Sequence, residues 1–198
     1  TSTHRQSRNR GRKSFCASSE KKMQTTLNKI KNCNPCPSGW RKLLSNLGKL
    51  GPDDEPLSFA TIIRSNGLKD AVWCLRLLED QNRIAWFALL CALEVKYSMS
   101  HKHSVRAVEV AESFLKGSAS RKSLEKATGR SATVADKFWG LSDERMGPAG
   151  AAWGAAMAVL GLKHEVGDVV YGAKIASNGA AVVVGEQVIG NIFLKLFG

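Results

Sequence analysis

The residues of this chain best suited to chemistry are two cysteines and two histidines: Cys33 and Cys36 in Cys33-Asn34-Pro35-Cys36, and His101 and His103 on either side of Lys102. Thiolates and imidazoles are zinc ligands, and a structural site needs four of them at tetrahedral geometry, usually as two C-x-x-C pairs. Here one cysteine pair is matched only by a His-x-His. The Asn-Pro between the cysteines also suits a turn where a helix stops. Cys33, Cys36, His101 and His103 are therefore the residues that would hold a structural zinc. The spacing favours plain loop packing, and no cofactor is expected. A redox role for the pair lacks the surrounding βαβ pattern. His101 and His103 follow an expected helix end, where an imidazole caps carbonyls and meets the negative end of the dipole. No Ser/His/Asp set, HExxH, Walker-type loop or GxGxxG occurs. The reading is of a protein that is not an enzyme.

Charge is the stronger signal. The 198 residues hold 29 Lys/Arg against 17 Asp/Glu, a formal net charge of +12. Residues 1–50 carry twelve of those cations and a single acid, Glu20, and so hold +11 of the total. Residues 1–17 are polar, aperiodic and self-repelling, a basic flexible arm that stays disordered unless a partner orders it. Arg5, Arg8, Arg10, Arg12 and Lys13 lie in this arm, and Lys21, Lys22, Lys29 and Lys31 follow on the next element. These nine are the expected nucleic-acid-binding residues. Six of them on phosphates would give a salt slope of about −5 on duplex DNA. Such contacts position a protein without reading sequence. Phe15 is the only aromatic residue in the arm, so base stacking is not the arm's main mode.

Nucleic acid or another polyanion is thus the expected partner, with a protein partner as the other reading. A membrane is not expected. Met146–Leu162 is seventeen residues without a charge, at the lower limit for a span, but Pro148 and four glycines interrupt it. Five cysteines without a disulfide framework, and no apolar run after the basic N-terminus, indicate a reducing cytoplasmic setting.

The elements that would carry these residues are helical. Ser18 or Ser19 opens a helix to Lys31, with Met23, Leu27 and Ile30 on one face. Ser38 caps a short helix carrying Trp40, Leu43, Leu44 and Leu47, so residues 18–50 form basic helices around the C-x-x-C turn. Residues 48–56 are a turn-rich linker, and 51–198 a helical body. Helices are expected over 57–65, 68–80, 82–100, 103–116 and 118–127, the last stopped near Gly129. Residues 146–198 are Gly/Ala-rich helices. Small residues four apart, at Gly150/Gly154, Ala151/Ala155, Gly172/Ala176 and Ala181/Gly185, would let neighbours approach closely. Residues 169–185 leave two readings open, a helix or a β-hairpin turning at Asn178-Gly179. The five tryptophans read as core anchors, and Arg76 as stacked on Trp73 and paired with Glu79 or Asp80. The fold class is all-α, a compact multi-helix array.

Several of these segments together resemble a known family. They are Cys36-Pro37-Ser38-Gly39-Trp40, Trp73-Cys74-Leu75-Arg76, a buried helix with Phe87 and Cys91, the Ala-Val-Glu-Val-Ala-Glu stretch at Ala107–Glu112, and Gly117-Ser118-Ala119 with Leu124. Over about residues 33–128 the chain is similar to small all-helical proteins, found mainly in tailed phages and in bacteria, that are labelled immunity proteins. The resemblance implies an all-helical, non-enzymatic fold and brings no catalytic residues. The basic arm is an addition to that pattern, and the C-terminal third is richer in Gly and Val. The expected function is that of a phage-type helical protein whose arm binds nucleic acid or another polyanion, as a virion or nucleoprotein component in the host cytoplasm or the virion. The alternatives are a host-directed interaction or immunity protein, and a membrane-active ejection or pore component.

Overall fold

The structure, a computed structural model, describes residues 23–138, 145–162 and 166–198. Among them the chain is all-α, with ten α-helices and one two-stranded ribbon. The ribbon pairs β1 (Gln24–Thr25) with β2 (Leu57–Ser58) antiparallel, Gln24 opposite Ser58 and Thr25 opposite Leu57. Of the helix expected from Ser18 or Ser19 to Lys31, residues 18–22 lie outside the described residues, and the ribbon corrects it over residues 23–26. Helix α1 (Leu27–Asn32) starts after Thr26, the N-cap, whose backbone is extended (φ −140°, ψ 160°) and whose side-chain oxygen accepts from the Lys29 amide. Met23, Leu27 and Ile30 match a helical stripe, but two consecutive β-branched threonines favour the extended form, and the second is a good cap. Met23 still packs on the core, from extended chain.

Helices α2 (Pro37–Leu47), α3 (Phe59–Asn66) and α4 (Leu68–Cys74) follow, and a 3-10 turn at Leu75–Leu77 completes the segment expected over 68–80. Helix α5 (Gln81–Glu94) is apolar nearly all round, with Ile84, Phe87, Leu89 and Cys91 fully buried. It ends before a second 3-10 turn, Lys96–Ser98. Helix α6 (Lys102–Leu115) matches its expected span. Helix α7 (Arg121–Phe138) does not stop near Gly129 but runs through it. A mid-helix glycine costs about 1 kcal/mol relative to alanine. The buried stripe continues on both sides of it, through Leu124, Ala127, Thr128, Ser131 and Val134, and that outweighs the cost.

Helices α8 (Met146–Leu160), α9 (Val166–Val184) and α10 (Glu186–Phe197) complete the array. The hairpin reading of 169–185 gives way to a single helix. Val169, Ala173, Ala176 and Ala180 are all fully buried at helical spacing, and Asn178-Gly179 lies within the helix. Helix α8 is central, packed against α5, α6, α7 and α9. The small residues serve that packing: side-chain atoms built on Gly154 or Gly172 would meet backbone of the other helix at 2.5–2.8 Å. Gly150 is not part of this seam, and Gly185, at φ 85°, ends α9 instead. Around Phe87 of α5, the rings of Phe59, Phe193 and Phe197 join it in one aromatic cluster with centroids 4.9–6.3 Å apart. Trp40, Trp73 and Trp86 are half-buried against the core, and Trp139 lies outside the described residues.

Candidate functional site

Cys36, Pro37 and Gly39 open α2. Cys36, not Ser38, is the N-cap: its sulfur accepts from the Gly39 amide at 3.3 Å, with Pro37 in the first turn, where no N–H is needed. Ser38 Oγ lies 3.6 Å from the same sulfur. Helix α3 ends at Asn66, and Gly67 at φ 92° turns the chain directly into α4. Asn66 holds that corner to α2, because its Nδ2 donates to the Gly39 carbonyl at 2.8 Å and to Asp70 Oδ2 at 2.7 Å. Lys42 Nζ donates to the Asn66 carbonyl at 3.3 Å, and Asn46 Nδ2 to that of Ser65 at 3.0 Å. Gly39 is required by proximity, since a Cβ there would sit 2.9 Å from Asp70 Oδ2 and 3.1 Å from Cys36 Sγ.

These contacts shape a pocket between α1, α2, α3 and α4, with Trp40 and Trp73 as aromatic walls and Asp70, Asn66 and Cys36 as polar lining. Ile30, Leu43 and Ile62 supply an apolar floor. Each tryptophan carries a cation: Lys31 Nζ is 5.5 Å from the Trp40 ring centroid, and the Arg76 guanidinium carbon is 4.2 Å from that of Trp73. The stacking expected for Arg76 is present, and its Nε donates to the Trp73 carbonyl at 3.0 Å. The ion pair expected with Glu79 or Asp80 is not, because Asp80 caps α5 and pairs with Arg83 at 3.3 Å. Two of the sequence segments singled out above, Cys36–Trp40 and Trp73–Arg76, thus meet at one pocket. Asn66 and Asp70 were missed in the sequence; their four-residue spacing across a Gly67 break reads as an ordinary helix junction.

The residues named for zinc are not brought together. Cys33 caps the end of α1, donating its N–H to the Ile30 carbonyl, and Cys36 caps the start of α2. Among the described residues no group of three or more His, Cys, Asp or Glu side chains could hold a metal ion. His101 corrects its expected role: it caps the start of α6, its Nδ1 accepting from the His103 amide at 3.2 Å, and not the end of the preceding helix. Loss of hydration, then the charges of His101, Arg130, Lys102 and Lys137, hold His103 below the usual imidazole range.

That cationic neighbourhood belongs to a larger surface. On α7, Lys122, Lys126, Arg130 and Lys137 are all exposed and recur at i, i+4, i+8 and i+15, which places them on one face. The stripe extends about 22 Å along the helix. None of the four makes a salt bridge among the described residues, whereas Arg121 engages Glu125 at 3.1 Å. Of the arm and its continuation, Arg5, Arg8, Arg10, Arg12, Lys13, Lys21 and Lys22 lie outside the described residues. Lys29 and Lys31 are exposed in the last turn of α1. The acidic linker is occupied locally, with Lys49 bridging Asp53 at 2.8 Å and Glu55 at 2.6 Å. The stripe escapes notice in the sequence because acids elsewhere cancel it: residues 51–198 are nearly neutral.

No helix among the described residues is long and apolar enough to cross a membrane. Comparison of the chain with protein-family models, with curated proteins and with solved structures finds no match.

Proposed function

We propose that the protein is a non-enzymatic, phage-type helical module that binds nucleic acid. The cations from Arg5 to Lys31 and the α7 stripe hold the phosphate backbone. The observation that carries this reading is the stripe itself: four exposed cations on one helix face, free of ion pairs among the described residues. A lysine or arginine with an acid three or four residues along a helix gains about 0.2–0.5 kcal/mol from the pair. A face that leaves its cations unpaired keeps its field for an anion from outside. Counterion release then makes binding steeply salt-dependent and indifferent to sequence at these positions.

The test is electrophoretic mobility of DNA and RNA over a salt series with the full chain. Comparison uses the same chain carrying Lys122→Gln, Lys126→Gln, Arg130→Gln and Lys137→Gln. The salt slope should shrink by about 0.9 for each phosphate that the variant leaves unneutralised on duplex DNA. Absence of any salt-dependent binding by the unaltered chain would overturn the proposal.

A further inference from the structure

Holding a phosphate backbone needs no pocket, yet Trp40 and Trp73 wall one with a cavity volume of about 100 Å³. That is smaller than the roughly 300–1,000 Å³ of sites that enclose a whole ligand, so the cleft admits one flat ring through its open mouth and not a whole molecule. Its chemistry is narrow. Two indoles and the Ile30, Leu43 and Ile62 floor suit a flat ring. Exposed Lys31 and Arg76 on the two indoles, with exposed Lys42 on the Asn66 carbonyl, surround it with positive charge and disfavour a free ammonium. A purely apolar occupant would strip water from Asp70 and Asn66 without replacing its hydrogen bonds. Asp70 spends Oδ2 on Asn66, and among the described residues its Oδ1 accepts no hydrogen bond. A carboxylate only accepts, so the occupant must offer hydrogen-bond donors, N–H or O–H. Under the nucleic-acid reading, the flat ring with donors on one edge and negative charge attached beside it is the base of a nucleotide.

The bases differ in the edge they would present. Cytosine and adenine set an acceptor nitrogen beside their amino group, and uracil or thymine flanks its one N–H with two carbonyls. Either arrangement brings lone pairs against the carboxylate. Guanine alone offers two adjacent donors, N1–H and the N2 amino group. We propose that the pocket between Trp40 and Trp73 takes an unpaired guanine of a nucleic-acid strand, its Watson–Crick edge on Asp70, its ring against the indoles and its flanking phosphates near Lys31 and Arg76. This rests on the nucleic-acid reading above and adds base selection to it. Single-stranded bases are commonly recognised in this way, by aromatic stacking plus hydrogen bonds to the Watson–Crick edge.

The experiment titrates the full chain with single-stranded oligothymidylates of one length, carrying at the centre one guanine, one hypoxanthine or one adenine. Binding is followed by tryptophan fluorescence and by anisotropy at fixed salt. The guanine strand should bind at least about tenfold tighter than the adenine strand, with hypoxanthine between them because it lacks the amino group. Asp70→Asn should level the three affinities and leave the salt slope intact. The base series on the unaltered protein stands even where that variant fails to fold. Equal affinity for all three strands with an undiminished salt slope overturns guanine selection and leaves backbone binding in place. No binding to any strand overturns both.

Discussion

Gly154 of α8 and Gly172 of α9 face each other backbone to backbone: a Cβ on either would lie 2.7 Å from the carbonyl oxygen of the other. Two helical turns away the arrangement repeats at Gly147 and Gly179, where a Cβ on Gly179 would meet the Gly147 oxygen at 2.5 Å. The two pairs run in opposite senses along the chain, so α8 and α9 are antiparallel neighbours locked at the distance only glycine permits. Backbone cannot move aside as a side-chain tip can. Gly154→Ala should therefore cost about 3 kcal/mol or more, the upper end of overpacking. Gly150→Ala, with nothing within 4 Å of its new methyl, should gain up to about 1 kcal/mol. Urea unfolding of both variants decides it, and equal stabilities would sink the account.

The thiols should divide by burial. Burial first, then the charge of Asp70, pushes Cys74 up to about 12, and burial pushes Cys91 up as well. At pH 8 a thiol reagent should label exposed Cys36 and half-buried Cys33 in the native protein, and Cys74 and Cys91 only after unfolding. Fast native labelling at Cys74 would contradict this. Above the ordinary thiol value of 9.0 the unfolded chain releases protons that the folded chain retains at Cys74, so stability should fall as pH rises from there.

His103 gives the opposite slope. Its folded value lies below 6.5, lowered by lost hydration and by His101, Arg130, Lys102 and Lys137. Between the two values the unfolded chain binds more protons, so stability should fall as pH drops through 6.5 and level off once both forms are protonated. A phosphate held on the α7 stripe offsets the neighbouring positive charge and favours the imidazolium. Nucleic-acid affinity should then rise between about pH 7 and 5.5 in the unaltered chain and rise less in His103→Gln. Anisotropy titrations across that range measure it.

Cys36 caps α2 with sulfur, a weak acceptor. Cys36→Ser should match or exceed the native stability, and Cys36→Ala should lose about 1 kcal/mol. A thermal melt of the three chains separates a capping role from simple packing, which would rank alanine no lower than serine.

How far these features could be read in advance depended on whether one local signal stood alone. The α6 span and the start of α5 were legible because an amphipathic and an apolar run there had no competitor. At Thr25-Thr26 a helical stripe competed with β-branched extended chain, and pairing with Leu57–Ser58, some thirty residues away in sequence, decided it. At Gly129 and at Asn178-Gly179 a local breaker competed with a buried face, and the face prevailed because neighbouring helices cover it. The pocket's tryptophans were visible as residues but not as walls, since they meet only when the Gly67 corner folds α4 back toward α2. Summed charge drew attention to the N-terminal segment and hid the α7 stripe, which is visible only once its cations are placed on one face.

The phenylalanine cluster also sets an order of events during synthesis. Phe59 and Phe87 are made early, whereas Phe193 and Phe197, which cover them, come from α10. The Arg83 guanidinium reaches the Leu196 carbonyl at 3.2 Å across 113 residues of chain. At about 5–20 residues per second, translation leaves that interval open for roughly 6–23 s. Throughout it, two aromatic rings and an arginine await a helix that does not yet exist. Helix α10 is therefore the wedge that closes the first half of the core, and the nascent chain must keep that sticky seat empty until it arrives.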